Sequence, residues 1–120
     1  MDRTFLLVGA LAGATGVALG AFGAHGLRGR LSPDMLAVFE TGVRYHMYHA
    51  LAILATAALS PRIEGRLLTA AGWLFAAGII LFSGSLYALA LSGVTMLGAI
   101  TPLGGLAFLA AWTCLAIAAM

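Results

Sequence analysis

Four long apolar runs, separated by short polar stretches, organise this 120-residue chain. They cover residues 4–24, 43–59, 67–91 and 102–119. Each is close to the roughly 17–25 residues that a helix needs to cross a bilayer. Their apolarity is continuous and shows no alternation of period two, which predicts helices and not barrel strands. All three prolines follow a hydroxyl residue, at Ser32-Pro33, Ser60-Pro61 and Thr101-Pro102. Ser and Thr accept from free amides at a helix start, and proline suits the first helical position because its missing N–H would be unpaired there. The three pairs therefore predict the starts of helices two, three and four.

Pro33 begins helix two well before its apolar run. Residues 33–59 would make about 40 Å of helix, more than the roughly 30 Å of bilayer hydrocarbon. Within residues 33–42, Met35, Leu36, Val38 and Phe39 interleave with Asp34, Glu40 and Thr41 at helical spacing. This amphipathic segment is expected to lie at the interface, or to tilt, before turning inward near Gly42. In helix one, Gly9, Gly13, Gly16, Gly20 and Gly23 are spaced four, three, four and three apart. That places them on one stripe where a neighbouring helix can approach closely. The predicted fold is all-α: an integral membrane protein of four transmembrane helices in an up-and-down bundle, one domain over residues 1–120.

Composition agrees. Hydrophobic residues make up 62% of the chain and charged residues 8%, against roughly 25% charged in a soluble domain. The net charge of +2 comes from six scattered arginines without a lysine, which is no nucleic-acid signature. Arg3 followed by an apolar run and small residues near Ala24 looks like a secretion signal. The run is long enough to span, so it reads as a retained first helix. Cys114, alone in the last apolar run, forms no internal disulfide and reads as a small core residue.

Against this background Arg44-Tyr45-His46-Met47-Tyr48-His49 stands out. A histidine at or inside the membrane is costly to place and points to function. Up-and-down threading brings further polar groups to the same leaflet: His25, Ser83, Ser85, Tyr87, Thr95 and Thr101. The other side keeps the chain ends and the turn with Arg62, Glu64 and Arg66. The candidate ligand-binding residues are therefore His25, Arg44, Tyr45, His49, Ser83, Ser85, Tyr87 and Thr101, forming one shared polar pocket with Arg44 as its anion-facing group. His46 and His49, three apart, could join His25 as metal ligands, although no further Cys or carboxylate completes the set. There is no Ser-His-Asp or paired-carboxylate pattern, and Ser83 in Phe82-Ser83-Gly84-Ser85 lacks the strand-to-helix context of a nucleophile turn.

Four segments carry a resemblance: Gly20-Ala21-Phe22-Gly23-Ala24-His25, Thr41-Gly42-Val43-Arg44-Tyr45 with His49, Phe82-Ser83-Gly84-Ser85-Leu86-Tyr87, and Thr101-Pro102-Leu103-Gly104-Gly105. As a set they resemble the small membrane-protein family called domain of unknown function 423, the YgdD-like proteins. The resemblance implies a four-helix inner-membrane protein and brings no reaction with it. It implies His at positions 25 and 49, and more often Gln at position 46, which demotes His46.

Charge leaves orientation nearly balanced, with Arg3, Arg62 and Arg66 on one side and Arg28, Arg30 and Arg44 on the other. Counting Arg44 with its helix tips both termini inward. The leading expectation is a non-enzymatic protein whose pocket binds a lipid, a small amphiphile or a partner protein, with the bilayer and a homo-oligomer or another membrane protein as partners. The alternatives are a small oligomeric transporter or channel, and a haem or copper protein using His25 and His49. No cofactor is otherwise called for.

Overall fold

Local sequence sets each helix boundary in the computed structural model, which describes residues 3–63 and 65–120. Helix α1 runs Thr4–Ala21 and continues through a π turn, Phe22–Gly26. Helix α2 is unbroken over Pro33–Leu59. Helix α3, Arg66–Gly78, passes through a second π turn, Ile79–Ser83, into α4, Gly84–Ser92. A 3₁₀ turn, Thr95–Ala99, leads into α5, Thr101–Ala118. The described residues are thus helical with short connections. Three of the four long segments, Thr4–Gly26, Arg66–Ser92 and Thr95–Ala118, are long and apolar enough to cross a membrane. Helix α2 is as long, but its charges and histidines dilute its apolarity. Met1, Asp2 and Glu64 lie outside the described residues.

The three hydroxyl–proline pairs meet different fates. Ser32 caps α2, its Oγ accepting from the Met35 N–H at 3.2 Å, with Pro33 in the first turn. Pro102 likewise sits in the first turn of α5, but the Thr101 hydroxyl turns away to Ser85, 2.6 Å off. Ser60-Pro61 ends α2 and does not start α3. The Ser60 hydroxyl donates to Ala57 O at 2.8 Å, and α3 begins only at Arg66, after Gly65 with φ of 124°. A serine near a helix C-terminus satisfies one of its free carbonyls, and a following proline cannot continue the ladder.

Nor does α2 turn at Gly42: residues 33–42 continue in one unbroken helix with the rest of α2. Phe39 there is fully buried. Gly42 is a contact point: a Cβ would stand 2.9 Å from the Tyr87 ring, and its carbonyl accepts from Ser83 Oγ at 2.6 Å.

Helix α1 packs on α2, α2 on α3–α4, and α5 on α3 and its π turn. The molecule extends 47 × 25 × 17 Å. Phe5, Ile53, Phe75, Ile79 and Phe108 form the main core, and Leu27, Phe39 and Ala90 a second one. Gly9, Gly16, Gly20 and Gly23 face α2 side chains (Leu54, Met47, Val43 and Phe39), while nothing lies within 4 Å of a Cβ placed at Gly13.

The tightest approach is at Gly104, where a Cβ would run into the backbone of Phe82 in the π turn. Backbone cannot swing aside as a side chain can. Gly104→Ala should therefore lose about 1–3 kcal/mol of stability. Gly13→Ala should be neutral or gain up to about 1 kcal/mol from helix propensity. Thermal unfolding followed by circular dichroism in detergent checks the contrast.

Candidate functional site

Helix α2 carries the chemistry, and the three-residue spacing of its histidines sends them to different neighbours. Positions three apart on a helix diverge by about 60°. His46 points between α1 and α4. Its Nδ1 lies 2.8 Å from the Tyr87 hydroxyl and its Nε2 3.2 Å from Thr15 Oγ1. The Thr15 hydroxyl is also 3.0 Å from both Leu11 O and Ala12 O. His49 points toward α5. Its Nδ1 is 2.7 Å from Tyr45 O, and Trp112 Nε1 donates to its Nε2 at 3.2 Å. The His49 ring stacks on Phe108 with centroids 3.6 Å apart and planes 6° apart.

Partner chemistry fixes one histidine and leaves the other free to choose. A carbonyl only accepts and an indole N–H only donates. His49 is therefore the neutral tautomer with its hydrogen on Nδ1. His46 faces two hydroxyls, each of which can donate or accept, and the Ala12 carbonyl is a further acceptor for its ring N–H. With Tyr87 donating to Nδ1, Nε2–H donates to Thr15, whose hydrogen goes to a carbonyl of its own helix. With the chain reversed, Thr15 donates to Nε2, Nδ1–H donates to Tyr87, and the Tyr87 hydrogen is released for another acceptor.

The expected single pocket is thus divided. A cleft of about 450 Å³ lies between α1 and α3–α4, with Thr15, His46 and Tyr87 among aliphatic walls that include Leu11, Ile53 and Ile80. A second cleft of about 540 Å³ lies beside α5, lined by Tyr45, His49, Phe82, Phe108 and Trp112 with Gly105 and Leu106. Ser83 and Ser85 are buried and tie α4 to α2 and α5 through Gly42 O and Thr101. His25 and Arg44 are exposed and line neither cleft. His46, which the family pattern demoted, proves as buried as His49. Both ring nitrogens of each are engaged by other groups. Among the described residues, no three His, Cys, Asp or Glu side chains are grouped to hold a metal. Cys114 packs against the main core.

Sequence reasoning missed Thr15 and Trp112. Thr15 had a signal, as the only hydroxyl between Thr4 and His25. It also fixes the level of the site. Thr15 is eleven residues from each end of Thr4–Gly26, about 16 Å along the helix. His46 is therefore level with the middle of the Thr4–Gly26 segment and not with its end, the level that up-and-down threading predicts for the cluster.

Outward, α1 and α5 expose Leu6, Leu7, Leu11, Val17, Leu103, Leu106 and Leu109. An apolar exterior this continuous suits lipid and not water. With three helices of spanning length, it defines a small α-helical membrane protein. The chain belongs to the family described as protein of unknown function (DUF423), whose model matches residues 19–105. It is 50% identical over 119 residues to the UPF0382 membrane protein YwdK of Bacillus subtilis, covering 98% of this chain and 97% of that one. It is 46% identical to SH2409 of Staphylococcus haemolyticus (96% and 93% covered) and 47% to SAB0533 of Staphylococcus aureus (97% and 94%). Both are likewise named UPF0382 membrane proteins. No solved structure matches.

Interhelical hydrogen bonds within membrane proteins contribute about 0.5–2 kcal/mol each. Tyr87→Phe and Thr15→Val should each lower stability by that amount, and the double variant should lose less than the sum because both bonds belong to His46. Unfolding in a detergent–sodium dodecyl sulfate titration measures the cycle.

Proposed function

We propose that all four helices cross the cytoplasmic membrane with both termini inside, and that the cleft between α1 and α3–α4 binds a membrane-dissolved amphiphile. The occupant has an apolar chain and an uncharged head with an acceptor oxygen, such as an ester, ketone or hydroxyl. The protein is a binding protein and not an enzyme.

One observation carries this reading: an aliphatic cleft of ligand size borders the one histidine whose hydrogen-bond chain can reverse. Reversal turns the Tyr87 hydrogen away from His46, and an acceptor oxygen from a lipid would compete for it with the neighbouring Ser83 hydroxyl. The apolar walls suit a hydrocarbon chain, and the absence of a charged side chain among them favours an uncharged head. The packing of α2 alongside the apolar segments Thr4–Gly26 and Arg66–Ser92 supports a fourth span. In that setting His46 lies near mid-membrane, where a polar group needs partners from the protein or from a ligand. Glycines along α1 support the close α1–α2 packing that shelters it.

Gly84 supplies the test. It lines the cleft, and a Cβ there meets nothing within 4 Å, so Gly84→Leu fills the space without displacing backbone. Native mass spectrometry of protein released from membranes should show a lipid on the wild type. The Gly84→Leu variant should retain it at least several-fold less, and Tyr87→Phe should weaken it while leaving the helical spectrum intact. Equal lipid retention by wild type and Gly84→Leu would remove the cleft from consideration.

A further inference from the structure

The clefts leave one surface of α2 unexplained. Ala37, Thr41, Arg44, Tyr48, Leu51 and Ala55 succeed one another at spacings of four and three residues along its whole length. All are exposed except Thr41, which is half-buried. Helix α1 covers the side of α2 that carries Val43, Met47 and Leu54. Helices α3 to α5 cover the side that carries His46, His49 and Ile53. Between them runs an open strip with the heptad period of a coiled-coil seam.

The strip carries an exposed arginine and tyrosine, Arg44 and Tyr48. Thr4–Gly26 and Thr101–Ala118 contain no Asp, Glu, Lys or Arg. Arg44 follows Val43, which packs on Gly20, six residues in from Gly26. It therefore starts about 9 Å inside the end of the Thr4–Gly26 segment, where an arginine facing hydrocarbon is strongly disfavoured. Glu40 is exposed one turn away toward the helix start, the direction in which helical side chains lean. Among the described residues, the Tyr48 hydroxyl makes no hydrogen bond.

We propose that this strip is the face on which two copies of the chain pair, α2 against α2, about a two-fold axis along the membrane normal. An acid and a base one turn apart on a self-facing strip are self-complementary. Two Arg44 and two Glu40 form a neutral cluster at the axis, and each arginine finds a carboxylate that a lipid tail does not offer. Ala37, Thr41 and Ala55 allow the backbones to approach. The heptad period gives the shallow left-handed crossing of such pairs. This inference rests on the reading that α2 crosses the membrane, and it is independent of what fills the clefts.

The test uses the full chain in native membranes, with Cys114→Ala and single cysteines introduced at Leu51, at Tyr48, or at Leu7 on the outer face of α1. Under copper-phenanthroline oxidation, Leu51→Cys and Tyr48→Cys should give a covalent dimer at least fivefold more than Leu7→Cys. Adding Glu40→Arg or Arg44→Glu to Leu51→Cys should cut the dimer severalfold, and the double swap should restore it, which separates lost pairing from lost folding. Equal cross-linking at positions 51 and 7, or a heavier adduct with another protein in place of the dimer, overturns the pairing. Labelling of Leu51→Cys by a membrane-impermeant maleimide overturns the membrane placement of α2 itself. A cysteine that is neither labelled nor cross-linked overturns only the dimer.

Discussion

Every buried polar group on α2 must find its partner inside the protein, and the arrangement of the other helices follows from that requirement. In an apolar surrounding an unpaired imidazole or hydroxyl loses its water without replacement. Helix α2 brings two histidines into such a surrounding, and each recruits a different neighbour. His46 holds α1 and α4 through Thr15 and Tyr87, and His49 holds α5 through Trp112. Among the described residues no buried side-chain nitrogen or oxygen lacks a hydrogen bond. The least apolar helix is thus the one touched by all the others, and the apolar helices α1 and α5 take the outer positions.

Close packing makes those hydrogen bonds reachable. Glycine at positions 42 and 104 lets α4 and α5 approach near enough for hydroxyls on short side chains to span the gap. Ser83 reaches the Gly42 carbonyl and Ser85 reaches Thr101 because no Cβ stands between the helices there.

The helices were legible in the sequence because continuous apolarity leaves few alternatives, and the ends of α3–α4 fall within a residue of the run that announces them. Boundaries marked by Ser60-Pro61 were not, since the same dipeptide can close one helix or open the next, and only tertiary context decides. The site was legible in part. His49, Tyr87, Ser83, Ser85 and Thr101 all make interhelical or core contacts, whereas His25 and Arg44 do not join them. Threading places residues by depth but not by azimuth, so it grouped side chains that point to different faces. His46 was undervalued for a related reason: a family pattern records which residue types occur at a position, not which groups it touches here. Trp112 carried no signal, because an indole in an apolar run reads as bulk until its N–H is seen to need an acceptor.

The π turn at Ile79–Ser83 has a consequence of phase. Phe75 and Tyr87 are twelve residues apart, and on a regular α-helix that separation leaves them about 120° apart around the axis. Yet both face α2, Phe75 against His49 and Tyr87 against His46. A π turn holds about one residue more than an α turn, which takes up roughly 100° of that rotation. To its neighbours the helix is therefore one residue shorter than the sequence says. Two stretches of chain that would otherwise look in different directions are brought onto one meridian, and the register of the whole hydrogen-bond network hangs on that single unspent residue.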